Sequence, residues 1–209
     1  MASKAEKLDQ IRNKILEAAA QRFQRFGYGK TNVAEIACDC GMSAGNLYRY
    51  FKNKAQIAEA IMRMSLERAL AELKSVLKIP DLSATQRLEE YLLQELYFTH
   101  HQLTVYPTLI DQIRDPDSQG PMLGHEYIED SRKILKKILQ SSVESGEFLV
   151  ENLEETAHAI QTATTKFRYP QLYTTMSLED LEASAKQVIG LILGSISVKK
   201  PTLTATAAE

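Results

Sequence analysis

The feature that most constrains the fold is a short stretch, residues 32–54, which reads NVAEIACDCGMSAGNLYRYFKNK. Asn32 and Glu35 have the spacing of a reciprocal capping pair, so a helix is predicted to begin just after Asn32. Gly41 suits the left-handed backbone that ends such a helix, and Ser43 can cap the next one. The predicted helices are 33–40 and 44–50. The connection between them, about three or four residues, has the length of a helix-turn-helix turn.

The second predicted helix presents mainly polar and aromatic groups to solvent. Leu47 and Phe51 are expected to be buried, and the outward-facing residues are Ser43, Gly45, Asn46, Tyr48, Arg49 and Tyr50. Exposed aromatic rings beside a guanidinium suit phosphates, sugars and thymine methyl groups in a DNA groove. The alternative is an ordinary glycine turn with surface tyrosines in a small helical domain. Agreement between the caps, the turn length and the exposed face favours DNA binding.

The same part of the chain resembles the DNA-binding domain of the TetR family of transcriptional regulators, over about residues 9–69. The matching residues are Ile15, Leu16, Ala18, Ala19, Phe23, Phe26, Gly27, Tyr28, Thr31, Ile36, Ala37, Gly41, Met42, Ser43, Gly45, Leu47, Tyr48, Tyr50, Phe51, Asn53 and Lys54. Two positions depart from the family pattern. Asn32 stands where threonine or serine is common, and Ala55 stands where an acidic residue often follows the lysine.

The resemblance implies a homodimer that reads a palindromic DNA operator, most simply as a repressor released by a small-molecule ligand. It implies phosphate contacts from Thr31, Tyr48, Tyr50 and Lys54, and a position facing the bases for Ala44, Asn46 and Arg49. With the outward groups of the second helix, the predicted DNA-binding set is Thr31, Asn32, Ser43, Ala44, Gly45, Asn46, Tyr48, Arg49, Tyr50 and Lys54.

The distribution of charge agrees with a DNA-binding end. Residues 1–54 carry ten lysines and arginines against five acids, a local charge of +5 in a chain whose net charge is −2. A basic end on an acidic body is expected when only one end of a protein meets a polyanion. Random surface charge is the alternative, and the helix pair in the same segment argues against it.

The rest of the chain shows helical periodicity, and no useful length alternates with period two. The prediction is an all-α fold of about nine helices, with a DNA-binding domain at 9–69, a ligand-binding and dimerisation domain at 70–198, and a tail at 199–209 too polar to order. A long helix beginning after Asn53 would join the two domains. The other main helices are predicted at 8–26, 84–103, 122–145, 153–168 and 178–197.

The final helix is apolar over more than one face, which indicates a partner surface. A four-helix bundle between two copies would bury it, and would place two reading helices about 34 Å apart. The predicted dimer interface is Ala185, Val188, Ile189, Gly190, Ile192, Leu193 and Gly194. The alternative is a helix wholly buried within one subunit.

Aromatic and imidazole side chains are concentrated in the middle helices, where a bundle can enclose a small apolar molecule. The predicted ligand pocket is Tyr97, His101, Tyr106, Ile110, His125 and Thr162. Aromatic residues at helical spacing are also typical of an ordinary core, so packing is the alternative for each of them.

The sequence contains no pattern typical of a catalytic, metal or cofactor site. It has no glycine-rich phosphate loop, nucleophile elbow or paired-carboxylate motif, and adjacent His100 and His101 point apart on a helix. Cys38 and Cys40 are two apart on a helix, so their side chains diverge, which predicts reduced packing or surface residues rather than a disulfide, with a redox-sensing thiol as the alternative. The chain is therefore predicted to be a cytoplasmic protein that is not an enzyme. A helical carrier or enzyme whose first helices only resemble a DNA-binding module is the alternative.

Overall fold

The computed structural model describes residues 3–105, 119–168 and 176–198. These residues form nine α-helices and one isolated antiparallel bridge between Phe148 and Ser197, which confirms the all-α prediction. The helices are α1 (Lys4–Phe26), α2 (Val33–Asp39), α3 (Ala44–Leu47), α4 (Lys54–Val76), α5 (Ala84–Val105), α6 (Gly120–Glu144), α7 (Leu153–Ala163), α8 (Thr165–Arg168) and α9 (Leu178–Ile196). Within the described ranges, no helix combines the length and apolarity needed to cross a membrane.

The chain divides into two compact units. Unit 1 takes in the described residues of Met1–Glu72 and Tyr97–Asp130, and unit 2 those of Leu73–Leu96 and Ser131–Glu209. The edge of unit 1 at Glu72 lies close to the predicted boundary near residue 70, but unit 1 also includes residues 97–130. The functional division into 9–69 and 70–198 therefore stays a prediction, and the predicted tail at 199–209 lies outside the described residues.

Side-chain caps set the first residues of the helices in unit 1. Asn32 and Glu35 form the predicted capping box at the start of α2, with both bonds at 2.9 Å. Asn53 accepts the Gln56 backbone N–H at 2.9 Å where α4 starts. Helix α1 begins four residues earlier than predicted because Ser3 and Glu6 form a second capping box.

Two predicted helices are shorter than their periodicity suggested. Helix α3 ends at Leu47 rather than at residue 50, because the next backbone N–H groups bond three residues back, from Arg49 to Asn46 and from Tyr50 to Leu47. The predicted helix 153–168 is divided at Thr164 into α7 and α8. The Thr164 hydroxyl donates to the carbonyl oxygen of Ile160 at 2.8 Å. Such a bond within a helix competes with the regular backbone ladder.

The core of unit 1 lies where α1, α2, α3 and α4 meet. Ile15, Ile36, Leu47 and Ile57 are completely buried, one from each helix. Burial of one such side chain stabilises the fold by about 1.5–3 kcal/mol. The short α2 and α3 therefore depend on the two long helices for their stability.

The largely apolar core of unit 2 contains a connected group of polar side chains. The Arg168 guanidinium contacts the Glu95 carboxylate at 2.8 Å, and each side chain is only 4% exposed. Tyr91 donates its hydroxyl to the Ser131 carbonyl at 2.9 Å, and the Gln161 amide donates to the Ser131 hydroxyl at 3.1 Å. These bonds connect α5, α6, α7 and α8. A buried ion pair is costly unless its partners are held in place, so this network constrains how those helices pack.

Candidate nucleic-acid interface

The turn between α2 and α3 has the geometry that its sequence predicts. Gly41 adopts a positive φ of 67°, and the Met42 N–H donates back to the Ala37 carbonyl at 2.9 Å. Ser43 then caps α3 by accepting the Asn46 N–H at 3.2 Å. Because Leu47 is fully buried and Phe51 is 2% exposed, the orientation of α3 on α1 and α4 is fixed by packing.

The opposite face of α3 and the turn after it are open to solvent. Tyr48 is 51% exposed, and Ser43, Gly45 and Arg49 are also exposed. Ala44 and Asn46 are half-buried at the sides of the same helix. This surface therefore presents a phenol, a guanidinium and a hydroxyl, groups that can bind phosphates and base edges.

Gly45 has no structural requirement to be glycine. A Cβ atom added there would meet nothing closer than the Ser43 hydroxyl oxygen at 4.0 Å, and the backbone is not in the left-handed region. The empty space beside Gly45 therefore lies on the outer face of α3. A molecule approaching from outside can come closer to the helix backbone here than at any residue with a side chain.

Thr31 is held inside unit 1, where the residue is 3% exposed and its hydroxyl donates to the Gly27 carbonyl at 2.9 Å. This bond closes the loop between α1 and α2. In this structure Thr31 supports the helix pair from inside. Its predicted contact with a phosphate stays a prediction.

Lys54 likewise bonds within unit 1, and its predicted contact with a phosphate stays a prediction. Its ammonium group donates to the carbonyl oxygens of Tyr28 and Thr31 at 2.7 and 2.8 Å, and lies 4.2 Å from the centre of the Tyr28 ring. Burial lowers the pKa of Lys54 below its usual value. The side chain thus ties the start of α4 to the loop before α2, which leaves little of it for DNA.

We expect Lys54→Met to lower the free energy of unfolding by about 1–3 kcal/mol, because it leaves two carbonyl groups without their charged donor. Urea denaturation followed by circular dichroism measures this change. Lys52→Met is the matched control, since Lys52 is exposed. Equal stability of the two variants would contradict the structural role of Lys54.

Asn32 and Tyr50 are only partly available to a ligand. The Asn32 side-chain oxygen is occupied by the capping bond, although the residue is exposed. Tyr50 is half-buried, and its backbone carbonyl accepts a bond from the Arg12 guanidinium at 2.9 Å. Both residues border the open face of α3 rather than form its centre.

Several basic residues of the first 54 are held by other protein groups. Arg22 forms an ion pair with Asp39 across α1 and α2, and this hydrogen bond raises the pKa of Arg22 and lowers that of Asp39. Lys14 donates to the Cys40 carbonyl at 2.9 Å. Lys30, Arg49 and Lys52, by contrast, are exposed. Lys30 and Lys52 were not in the predicted DNA-binding set, although they contribute to the basic charge of residues 1–54.

The two cysteines differ in their surroundings. Cys38 is exposed, while Cys40 is buried and its thiol contacts the Lys14 carbonyl at 3.7 Å. Burial raises the pKa of the Cys40 thiol, which disfavours the reactive thiolate. Cys40 is thus a packing residue of the unit 1 core, as predicted.

The described members of the predicted ligand pocket belong to two different units. Tyr97, His101 and His125 belong to unit 1, where Tyr97 is half-buried and both histidines are exposed. Thr162 belongs to unit 2, is exposed, and donates its hydroxyl to the His158 carbonyl at 2.9 Å. Tyr106 and Ile110 lie outside the described residues. The ligand pocket therefore stays a prediction.

The predicted dimer interface divides into buried and exposed residues. Ala185 and Ile189 are each 2% exposed and pack inside unit 2, so they have no surface left for a second copy. Val188, Ile192 and Leu193 are half-buried, while Gly190 and Gly194 are exposed. Leu191, which is 78% exposed and lies between Gly190 and Gly194 on α9, was not in the predicted set. The interface itself stays a prediction.

Two family models match the chain. Residues 15–61 match the model described as bacterial regulatory proteins of the tetR family, and residues 84–189 match the tetracyclin repressor-like C-terminal domain. The second match spans about half of the chain by itself. The first contains the whole of α2 and α3 and the surface described above.

Relatives and solved structures agree with these matches. The chain is 26% identical over 147 residues to the transcriptional repressor KstR2 of Mycolicibacterium smegmatis, covering 66% of this chain and 67% of that protein. It is 25% identical over 137 residues to the fatty acid metabolism regulator protein of Bacillus subtilis, covering 64% and 68%. The crystal structure of a transcriptional regulator from Cytophaga hutchinsonii superposes with a TM-score of 0.73 at 25% identity, covering 88% of this chain and 97% of that one.

Proposed function

The chain belongs to the TetR family of transcriptional regulators and is a DNA-binding regulator, and we propose that it is a homodimeric repressor released from a palindromic operator by a small molecule. The family consists of regulators rather than enzymes. The proposed regulator would therefore act in the cytoplasm, where it can reach the genome.

The exposed face of α3 is the observation that carries the DNA-binding part of the proposal. We assign base and phosphate contacts to Ser43, Ala44, Gly45, Asn46, Tyr48 and Arg49, with Asn32 and Tyr50 at the edge. Lys30 and Lys52 would add phosphate contacts, because both are exposed cations in the same basic segment. Thr31 and Lys54 would support this surface through their bonds to the loop before α2.

The Gly45→Ala variant is expected to change operator affinity without lowering the stability of the fold. The added methyl group meets open space, and alanine favours a helix over glycine by about 0.5–1 kcal/mol. We expect unchanged or slightly higher thermal stability together with weaker operator binding, because the methyl group occupies the approach to the helix backbone. Thermal melting and a DNA-binding titration on the same preparation measure the two effects. Unchanged affinity would remove Gly45 from the proposed contact surface.

The proposed dimer surface is the exposed side of α9. It omits the buried Ala185 and Ile189 of the predicted set and includes Leu191. It comprises Gly190, Leu191 and Gly194, with the half-buried Val188, Ile192 and Leu193 at its margins. Exposed glycines allow two helices to approach closely, and a leucine that is 78% exposed gains from being covered. Such a two-fold contact would bring together two copies of α3.

Leu191→Arg is expected to convert the dimer to a monomer, because it places two charges at the two-fold contact. Sedimentation velocity at micromolar concentration measures the oligomeric state. Leu149→Arg is the matched control, since Leu149 is 76% exposed and lies outside α9. A Leu191→Arg protein that sediments as the wild type would exclude this face as the interface.

The effector is proposed to be a small hydrophobic or amphipathic molecule. The matched relatives include a protein named as a fatty acid metabolism regulator, and the core of unit 2 is largely apolar. An apolar ligand would bind between the helices of unit 2 and replace some of their apolar contacts. The identity of its head group is left to experiment.

The experiment that tests the proposed function is selection of bound fragments from the producing genome by the purified protein. The proposal predicts enrichment of a palindromic sequence, with affinity falling steeply as salt rises because phosphate contacts release counterions. Failure to enrich any duplex at low salt would favour the alternative of a helical carrier or enzyme.

A further inference from the structure

Unit 1 contains a groove of about 410 Å³ on the side of α1 and α4. Its walls come from one face of each of these helices and from the last turns of α5. The residues that line it are Asn13, Leu16, Glu17, Ala20, Gln21, Ile61, Met64, Ser65, Arg68, His101 and Gln102. The volume lies within the range of sites that bind small organic molecules.

The groove has an apolar base and a polar edge. Leu16, Ala20, Ile61 and Met64 supply the apolar surface, and Met64 is 41% exposed, although a methionine gains from being covered. The charged groups at the edge are the carboxylate of Glu17 and the guanidinium of Arg68, of opposite sign. A ligand with a strong net charge is therefore not favoured over a neutral one.

Gln102 adds a specific polar group to this lining. Its side-chain oxygen is buried, and no hydrogen-bond partner for it occurs among the residues that the structure describes. A buried acceptor without a partner costs about 1–3 kcal/mol. Gln102 is half-buried, so rotation of its side chain can turn this oxygen toward the groove, where a ligand that donates a hydrogen bond to it would remove that cost.

We propose that this groove binds a neutral, largely apolar molecule that carries one N–H or O–H donor. The donor bonds to the Gln102 side-chain oxygen, and the apolar body covers Leu16, Ile61 and Met64. This groove belongs to unit 1, whereas the effector proposed above would bind in the core of unit 2. The groove proposal does not depend on the operator proposal. Because α1 and α4 both pack on α2 and α3, its occupant contacts the helices that support the DNA-reading surface.

The probe for this site is N-phenyl-1-naphthylamine, a neutral aromatic amine with a single N–H donor whose fluorescence rises in apolar surroundings. Titration of the full chain gives the number of dye sites and their affinities. We expect Ala20→Phe to remove one dye site per chain, because the ring fills the groove. Ala71→Phe is the matched control: Ala71 lies on α4, is exposed, and does not line the groove.

Gln102→Leu keeps the volume and removes the acceptor, and we expect it to weaken the groove site about fivefold. Circular dichroism checks that each variant is folded. If Ala20→Phe fails to fold, the Gln102→Leu variant provides the test. Wild-type affinity of Gln102→Leu for the dye would then overturn the proposal. The proposal is also overturned if folded Ala20→Phe retains every dye site, or if Ala71→Phe loses binding equally.

Discussion

Replacement of Arg49 by alanine is expected to lower operator affinity by about tenfold to a hundredfold at each half-site. Arg49 is exposed just after α3, where its guanidinium can make paired hydrogen bonds to a guanine edge or a phosphate. The variant should keep wild-type helicity and oligomeric state, since the side chain takes no part in the core. Fluorescence anisotropy with a labelled operator at fixed salt measures the loss.

Arg63→Ala is the matched control for this prediction. Arg63 is also an exposed arginine of unit 1, but it lies on α4 and contacts the Glu126 carboxylate at 3.5 Å. Both variants lose one positive charge, so a general electrostatic effect would weaken both equally. Tyr48→Ala should resemble Arg49→Ala, because the 51% exposed phenol lies on the same surface. Wild-type affinity in both α3 variants would refute the assignment of the reading helix.

Replacement of Arg168 by methionine is expected to lower the free energy of unfolding by about 3–5 kcal/mol. The variant leaves the Glu95 carboxylate, 3% exposed, without its guanidinium partner in the core of unit 2. A buried carboxylate that loses its cationic partner is much more costly than the pair. Urea denaturation at one fixed subunit concentration measures the change, because the proposed dimerisation would make apparent stability depend on concentration.

The double variant Glu95→Met and Arg168→Met tests the reason for that loss. Removal of both charges should restore most of the stability, since apolar residues of similar volume can replace a buried ion pair. Lys186→Met is the control, because it breaks an exposed pair with Glu182 and should change stability little. A double variant as unstable as Arg168→Met would show that packing, rather than the unpaired charge, causes the loss.

Local signals in the sequence predicted the helix pair well. The caps at Asn32 and Ser43 and the turn at Gly41 depend on residues close along the chain, and the structure has all three. The burial of Leu47 and Phe51 followed from helical spacing. Fold class was predictable for the same reason, because amphipathic periodicity extends through most of the chain.

Side-chain roles that depend on distant contacts were not predictable. Lys54 bonds to the carbonyl of Tyr28, 26 positions away, and no spacing rule relates the two. The apolar width of α9 likewise did not reveal which side packs inside unit 2, so the buried Ala185 and Ile189 were predicted to lie at the interface and the exposed Leu191 was not. The predicted ligand pocket was a choice by residue type, and the described residues of that set lie in different units.

The most direct test of a homodimer that binds both half-sites compares its affinity for a selected palindrome with its affinity for the same duplex after one half-site is scrambled. We expect two chains to bind the intact duplex as a unit, and scrambling of one half-site to lower affinity by more than tenfold. We also expect Leu191→Arg to abolish this difference between the two duplexes. Equal wild-type affinity for the intact and half-scrambled duplexes would contradict binding by a homodimer to both half-sites.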